Sequence, residues 1–174
     1  QMWKNYFGDK ANIFGVDIDP RCKSFEEDNI KIFIGSQTDK VFLNDLKTKI
    51  PKLDILIDDG GHTMRQQIIT FQCLFHHIRN NGVYLCEDLH TSYWLRWGGG
   101  YRRRGTFIEY TKHWIDSLNA YHSQQKNFHK TKFTKSVDSI HYYDSVIILE
   151  KRNREKPNLV STGYKSLVDE DIKI

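Results

Sequence analysis

Two short apolar runs, each ending in acidic residues, constrain this chain more than any other feature. Residues 53–57 (LDILI) lead into Asp58-Asp59-Gly60-Gly61-His62, and residues 82–85 (GVYL) lead into Cys86-Glu87-Asp88-Leu89-His90. Between them lies a helical pattern over 64–79, with Ile68, Ile69, Phe71, Leu74, Phe75 and Ile78 on its apolar stripe and Asn80-Asn81-Gly82 closing it. Strand, helix, strand at this spacing predicts neighbouring parallel strands of an α/β sheet. Adjacent strands lie about 4.8 Å apart, so acids leaving both carboxyl ends meet in the crevice where open α/β sheets bind ligands. Three or four carboxylates and a histidine are therefore expected in one place, close enough to share a divalent ion.

The rest of the chain continues the alternation. Residues 2–7 read as the end of a helix, and 12–16 (NIFGV) as a strand that delivers Asp17 and Asp19 to a turn at Pro20. The chain thus opens inside a βα unit. The next strand, 30–34, ends at Gly35-Ser36-Gln37-Thr38-Asp39, and 41–50 carries helical spacing up to Pro51. Beyond the second acidic turn come a Gly-, Arg- and aromatic-rich loop (94–105), a helix (107–121), a basic polar stretch (122–135) and a closing hairpin (137–142 and 145–150). After Lys151 the sequence is charged and contains Pro157 and Gly163, which reads as an extension of the core.

A length of 174 residues suits one domain with a real core. With 39% hydrophobic and 28% charged residues and a mean hydropathy of −0.63, no transmembrane helix is expected. The net charge of +4 tolerates an anionic partner without demanding one. Cys22, Cys73 and Cys86 form no CxxC pair, which argues against a disulfide framework or zinc site and favours a reducing, cytoplasmic setting. Gln1 in place of methionine reads as a start other than the native N-terminus.

Taken together, the VDIDP turn, GSQTD, IDDGGH, GVYLCEDLHTSYW and GGGYRRRGTFIEY resemble the class I S-adenosylmethionine-dependent methyltransferases. Within them the likeness is to the metal-dependent macrolide-sugar O-methyltransferases of the mycinamicin and tylosin type and to the cephalosporin-biosynthesis methyltransferase-like proteins. It covers roughly residues 2–150. The resemblance implies a Rossmann-like sheet with helices on both faces, a core over 1–150 and a C-terminal extension over 151–174. It implies that Asp59, Glu87 and Asp88 ligate Mg²⁺, with Mn²⁺ accepting the same oxygen shell, and that His62 is the general base. Asp17 would hold the cofactor ribose, and Ser36, Gln37 and Asp58 would flank its adenosine. The family's first strand and glycine-rich turn should precede Gln1, so the sheet is expected to lack a strand between those ending at Asp17 and Asp58. Related enzymes are often oligomers, which leaves a homo-oligomer open here.

Each residue also has a plainer reading. Asp58 and Asp59 would cap the helix after Thr63, Glu87 and Asp88 would be solvated turn acids, and His62 a surface loop histidine. Asp17 and Asp19 would be turn formers. Trp94, Trp97 and Tyr101 would form either a lid that stacks on a sugar, with Arg102 to Arg104 meeting an anion, or an exposed basic loop. The resulting expectation is an O-methyltransferase acting on a sugar or glycosylated metabolite. The rivals are an RNA cap or ribose methyltransferase, disfavoured by the modest charge, and a non-catalytic interaction domain of the same fold.

Overall fold

The computed structural model describes residues 2–164, so the end of the expected extension lies outside the described residues. Helix α1 (Met2–Phe7) precedes β1 (Ile13–Asp17), and a 3-10 turn (Pro20–Phe25) leads to β2 (Ile30–Ile34). Then follow α2 (Lys40–Lys49), β3 (Leu53–Asp58), α3 (Met64–Leu74) and β4 (Ile78–Cys86). Helices α4 (Phe107–Asn119) and α5 (Lys132–Ser136) come before the hairpin β5 (Val137–Tyr143) and β6 (Val146–Lys151).

The strands form two sheets. Strands β1 and β2 pair in parallel, while the second sheet has the order β3-β4-β6-β5, with β3 and β4 parallel and β6 antiparallel to both of its neighbours. No described strand joins β1 to β3, and the interruption falls where the resemblance led us to expect a missing strand. Side chains span the break. Leu43, Leu46 and Ile50 around α2 pack with Ile69 and Leu74 of α3, and Phe14, Phe33, Leu53 and Leu56 close on them from β1, β2 and β3.

The larger core lies on one face of the four-stranded sheet. On α3, Gln67, Thr70, Phe71 and Leu74 follow the i, i+3, i+4, i+7 spacing of a single helix face, and all four are buried. Phe71 sits at the centre, with ring centroids of Trp114, Phe75 and Tyr84 at 4.3, 4.7 and 5.3 Å. Truncating a ring so enclosed costs about 3–5 kcal/mol. The alternation along β4 and β6 buries Tyr84, Cys86, Ile147 and Leu149 toward these helices and leaves Val83, Leu85 and Ile148 half-buried on the other face.

Two boundaries differ from the expectation. The helix read as 64–79 ends at Leu74, and a 3-10 turn (Phe75–His77) passes directly into β4 at Ile78. Ile78 pairs with Leu53, and the buried Lys151 ammonium donates to the carbonyls of Phe75 (3.2 Å) and Ile78 (2.6 Å). Those tertiary partners take over the carbonyls a continuing helix would have used. In the basic polar stretch, a capping box between Thr131 and Thr134 starts α5, and Phe133 anchors it on the core.

Candidate active site

Parallel pairing aligns Asp58 with Cys86, which places the turn beginning at Asp59 beside the one beginning at Glu87. Both turns pass through strained backbone: His62 has φ 54° and Asp88 has φ 55°, the left-handed region that non-glycine residues rarely occupy. One hydroxyl serves both, since Thr91 Oγ1 lies 2.8 Å from the carbonyl oxygen of His62 and 2.8 Å from that of Asp88. Thr91 is itself buried.

The result is a compact polar cluster. His62 Nε2 stands 3.4 Å from Asp88 Oδ2 and 3.9 Å from Asp59 Oδ1, and one ligand atom from each of the three residues lies within 4.8 Å of the others. Glu87 is outside that group. Desolvation, followed by the charges of Asp59 and Asp88, raises its carboxyl above the ordinary range, which marks a concentration of negative charge that a cation would relieve. The grouped donors, two carboxylates and an imidazole at two strand ends with the Glu87 carboxyl beside them, are of the kind that holds a divalent ion.

Gly60 and Gly61 make the first turn possible through close approach. A Cβ on Gly60 would overlap the Gln37 carboxamide, and one on Gly61 would overlap the side chain of Gln66. Gln66 closes the capping box with Thr63 that starts α3, so Thr63 is the helix cap and neither Asp58 nor Asp59 fills that role. Gln37 connects three elements: its Nε2 donates to Asp58 Oδ1 (3.2 Å) and Thr70 Oγ1 (3.1 Å), and its Oε1 accepts from Gly61 N–H (2.6 Å). Asp58 is buried, and burial pushes its carboxyl up to about 7 against the opposing hydrogen bonds from Gln37 and Gly60. Ser36 Oγ pairs with Thr38 Oγ1 at 2.9 Å, which shapes the turn after β2.

Asp17 ends β1, where its carboxylate accepts the Asp19 N–H at 2.8 Å, and that hydrogen bond is the main reason its acidity is increased. Asp19 caps the following 3-10 turn and pairs with Arg21, so it serves turn geometry as expected. In the loop, Trp97 lies 6.2 Å from the His62 ring, whereas Tyr101 stands out in solvent beneath Arg102.

Sequence reasoning missed three supporting residues. Thr91 gave no signal beyond its place after the second acidic pair. Gln67 Nε2 donates to the Glu87 carbonyl at 3.1 Å; a polar residue on the apolar stripe of a helix was the available clue. His90 Nδ1 lies 2.6 Å from Ser145 Oγ, a contact 55 residues apart that no local pattern signals.

No protein-family model matches the sequence. Among curated proteins, the chain is 36% identical over 160 residues to the 8-demethyl-8-(2-methoxy-alpha-L-rhamnosyl)-tetracenomycin-C 3'-O-methyltransferase of Streptomyces olivaceus, covering 89% of this chain and 40% of that protein. It is 31% identical to the mycinamicin VI 2''-O-methyltransferase of Micromonospora griseorubida, over 97% of this chain and 43% of the relative. Its homologues are sugar O-methyltransferases. A solved structure, the MycE methyltransferase from the mycinamycin biosynthetic pathway in complex with Mg and SAH, superposes with a TM-score of 0.83 at 29% identity. That match covers 98% of this chain and 46% of MycE, so the two share the methyltransferase fold over nearly all of the residues given. The chain spans about two-fifths of the length of the curated sugar O-methyltransferases it matches.

Proposed function

We propose that this chain carries the catalytic core of an S-adenosylmethionine- and Mg²⁺-dependent O-methyltransferase whose acceptor is a hydroxyl of a sugar or glycosylated small molecule. The observation that carries the reading is the convergence of Asp59, His62 and Asp88 at the ends of two adjacent parallel strands. The acceptor class is supported by the relatives' names, and the methyl donor and cation by the Mg and SAH bound to MycE.

A sugar hydroxyl is almost wholly protonated at neutral pH, so forming its oxygen–methyl bond requires a group that takes the proton as the sulfonium carbon is attacked. Magnesium prefers oxygen, and carboxylates suit it better than imidazole does. We therefore assign Asp59, Glu87 and Asp88 to hold the cation and leave His62 Nε2 as the base. Once bound, the cation would lower the hydroxyl pKa and fix its direction, and Mn²⁺ would serve with the same ligands. Asp88 Oδ2, 3.4 Å from His62 Nε2, stabilises the imidazolium that forms when the proton is taken, while the methyl donor leaves as S-adenosylhomocysteine. Asp17 takes the donor's ribose hydroxyls, and Ser36, Gln37 and Asp58 lie along its adenosine. Trp97 beside His62 supplies an apolar surface that limits water near the base.

On this reading the catalytic core is residues 1–150 and 151–174 an extension, the partner is a small glycoside rather than nucleic acid, and the enzyme works in the cytoplasm, with a homo-oligomer among the states open to it. Among the described residues, no helix is long and apolar enough to cross a membrane. The decisive experiment is methyl transfer from labelled S-adenosylmethionine to rhamnosylated tetracenomycin or mycinamicin VI by the full-length protein, with Mg²⁺ and with chelator, alongside calorimetric titration of the donor. Donor binding with metal-dependent transfer is expected. Absence of donor binding under both conditions would leave the fold without the function.

A further inference from the structure

Asp88 is held by the carbonyls on either side of it. Its own carbonyl accepts the Thr91 hydroxyl at 2.8 Å, and the preceding one, of Glu87, accepts the carboxamide Nε2 of Gln67 at 3.1 Å. The Glu87 N–H is engaged as well, donating to the Asp58 carbonyl at 3.0 Å, one step beyond the last paired residues of β3 and β4. The Cys86 thiol reaches the Glu87 carbonyl at 3.6 Å, a weak donor at longer range. Three backbone groups of Glu87 and Asp88 are thus pinned from the interior, while their carboxylates face the cluster. Asp88 meets His62 there, and the charges of Asp59 and Asp88 both act on Glu87.

Gln67 sits where an apolar side chain would pack better. It is 1% exposed, it shares the α3 face of Thr70, Phe71 and Leu74, and its Oε1 finds no hydrogen-bond partner among the described residues. A buried carboxamide with one end unpaired costs stability that a methionine of similar size would not. What the carboxamide supplies is a direction. Turning one peptide plane over reverses its carbonyl and carries the φ of the next residue between negative and positive values, which is the difference between type I and type II turns. With the Glu87 carbonyl drawn toward α3, Asp88 stands at φ 55°. Released, the plane can turn over and let Asp88 relax to the negative φ that non-glycine residues prefer.

Resting on the Mg²⁺-dependent reading above, we infer that Gln67 is a positioning residue for the cation site: it fixes the peptide plane that aims Glu87 and Asp88 at one divalent ion. It touches neither ion nor substrate and acts only through the Glu87 carbonyl. Glu87 stands outside the Asp59, His62 and Asp88 group, so its entry into the ligand shell depends on how firmly the backbone beneath it is held. Helix α3 thereby joins both acidic turns. Its cap, Thr63, follows the base His62, and its second turn grips Glu87, so base and ligands keep one relative placement.

The test is Mn²⁺ binding to the full-length protein without donor or acceptor, read by electron paramagnetic resonance of the free ion. The variants are Gln67→Met, which keeps the length and removes the donor, Gln67→Glu, Asp59→Asn, and Leu74→Ala two turns along the same helix face. Gln67→Met is expected to weaken Mn²⁺ binding about tenfold, the low end of what outer-shell partners contribute, with the calorimetric affinity for S-adenosylmethionine unchanged. Its crystal structure should show Asp88 at negative φ. Gln67→Glu, whose buried carboxyl is protonated and still donates, should bind Mn²⁺ more tightly than Gln67→Met. Leu74→Ala should lower the melting temperature and leave Mn²⁺ binding in place, because general loosening of α3 is not the cause. Undiminished Mn²⁺ affinity in Gln67→Met, an Asp88 still at positive φ, or equal weakening in Leu74→Ala would overturn the role. Failure of the parent reading looks different: the unsubstituted protein binds no Mn²⁺, or Asp59→Asn binds it undiminished, and the role of Gln67 falls with the cation site.

Discussion

His62 and Asp88, 26 residues apart, adopt the same left-handed backbone conformation and hang from the same donor, the Thr91 hydroxyl at 2.8 Å from each carbonyl. Each such conformation costs on the order of 1–3 kcal/mol and persists only when its surroundings over-determine it. Thr91→Val keeps the shape and removes the hydroxyl. Both turns should then relax, lowering unfolding free energy by about 1–3 kcal/mol and kcat by about ten- to a hundredfold. Urea melts and steady-state rates test this, and a variant with unchanged kcat would show that the strain is idle.

Gln37 is the polar link between the turn after β2 and the β3 end. Gln37→Leu strands the Gly61 N–H and removes one donor each from Asp58 and Thr70. A loss of about 1–3 kcal/mol in stability is expected, accompanied by weaker binding of S-adenosylmethionine in calorimetry. Stability loss with unaltered donor affinity would separate the clamp from the cofactor pocket.

Cation and base should be separable by substitution. Asp59→Asn is expected to raise the Mg²⁺ concentration for half-maximal rate about tenfold or more. His62→Gln should instead lower kcat by about 10²- to 10⁴-fold while the metal requirement stays put. If His62→Gln shifts the Mg²⁺ titration as far as Asp59→Asn does, His62 is a ligand and the base lies elsewhere.

The pH profile of stability should carry the signature of Asp58. Its carboxyl sits at about 7 in the folded protein against a usual 3.8, so the native state binds the extra proton between those values. The stabilisation is complete below about pH 3.8 and is lost as the pH rises through about 7. Asp58→Asn removes this dependence. The difference in unfolding free energy between variant and unsubstituted chain should therefore move in the variant's favour from pH 5 to pH 8, and parallel curves would refute the burial argument.

The parts of this structure that were legible in the sequence are those fixed by local rules. Apolar runs with acids at their ends marked β3 and β4, and the residues after them do converge, because a parallel ladder leaves no freedom in where the two ends lie. What escaped was decided by distant partners. Ile78 extends the helical stripe of α3 yet belongs to β4, since Leu53 and the Lys151 ammonium, 73 residues along, claim its backbone. Phe133 lies in a polar stretch, and its helix exists because a core ring needed a place to pack. Asp58, read from sequence as flanking an adenosine, is a buried acid, and that burial depends on the depth of the sheet end rather than on its neighbours in sequence.

The interrupted sheet bears on how this chain comes apart. Among the described residues, strands β1 and β2 share a ladder only with each other, and the side-chain cluster around α2 together with Gln37 ties them to the four-stranded sheet. Backbone hydrogen bonds that cross a boundary make opening cooperative, and here none of the described ladders does so. Amide hydrogens of residues 13–17 and 30–34 should therefore exchange through a cheaper, partial opening while those of β4 and β6 wait for global unfolding. Native-state exchange would then resolve two protection plateaus in a chain whose length alone would predict one.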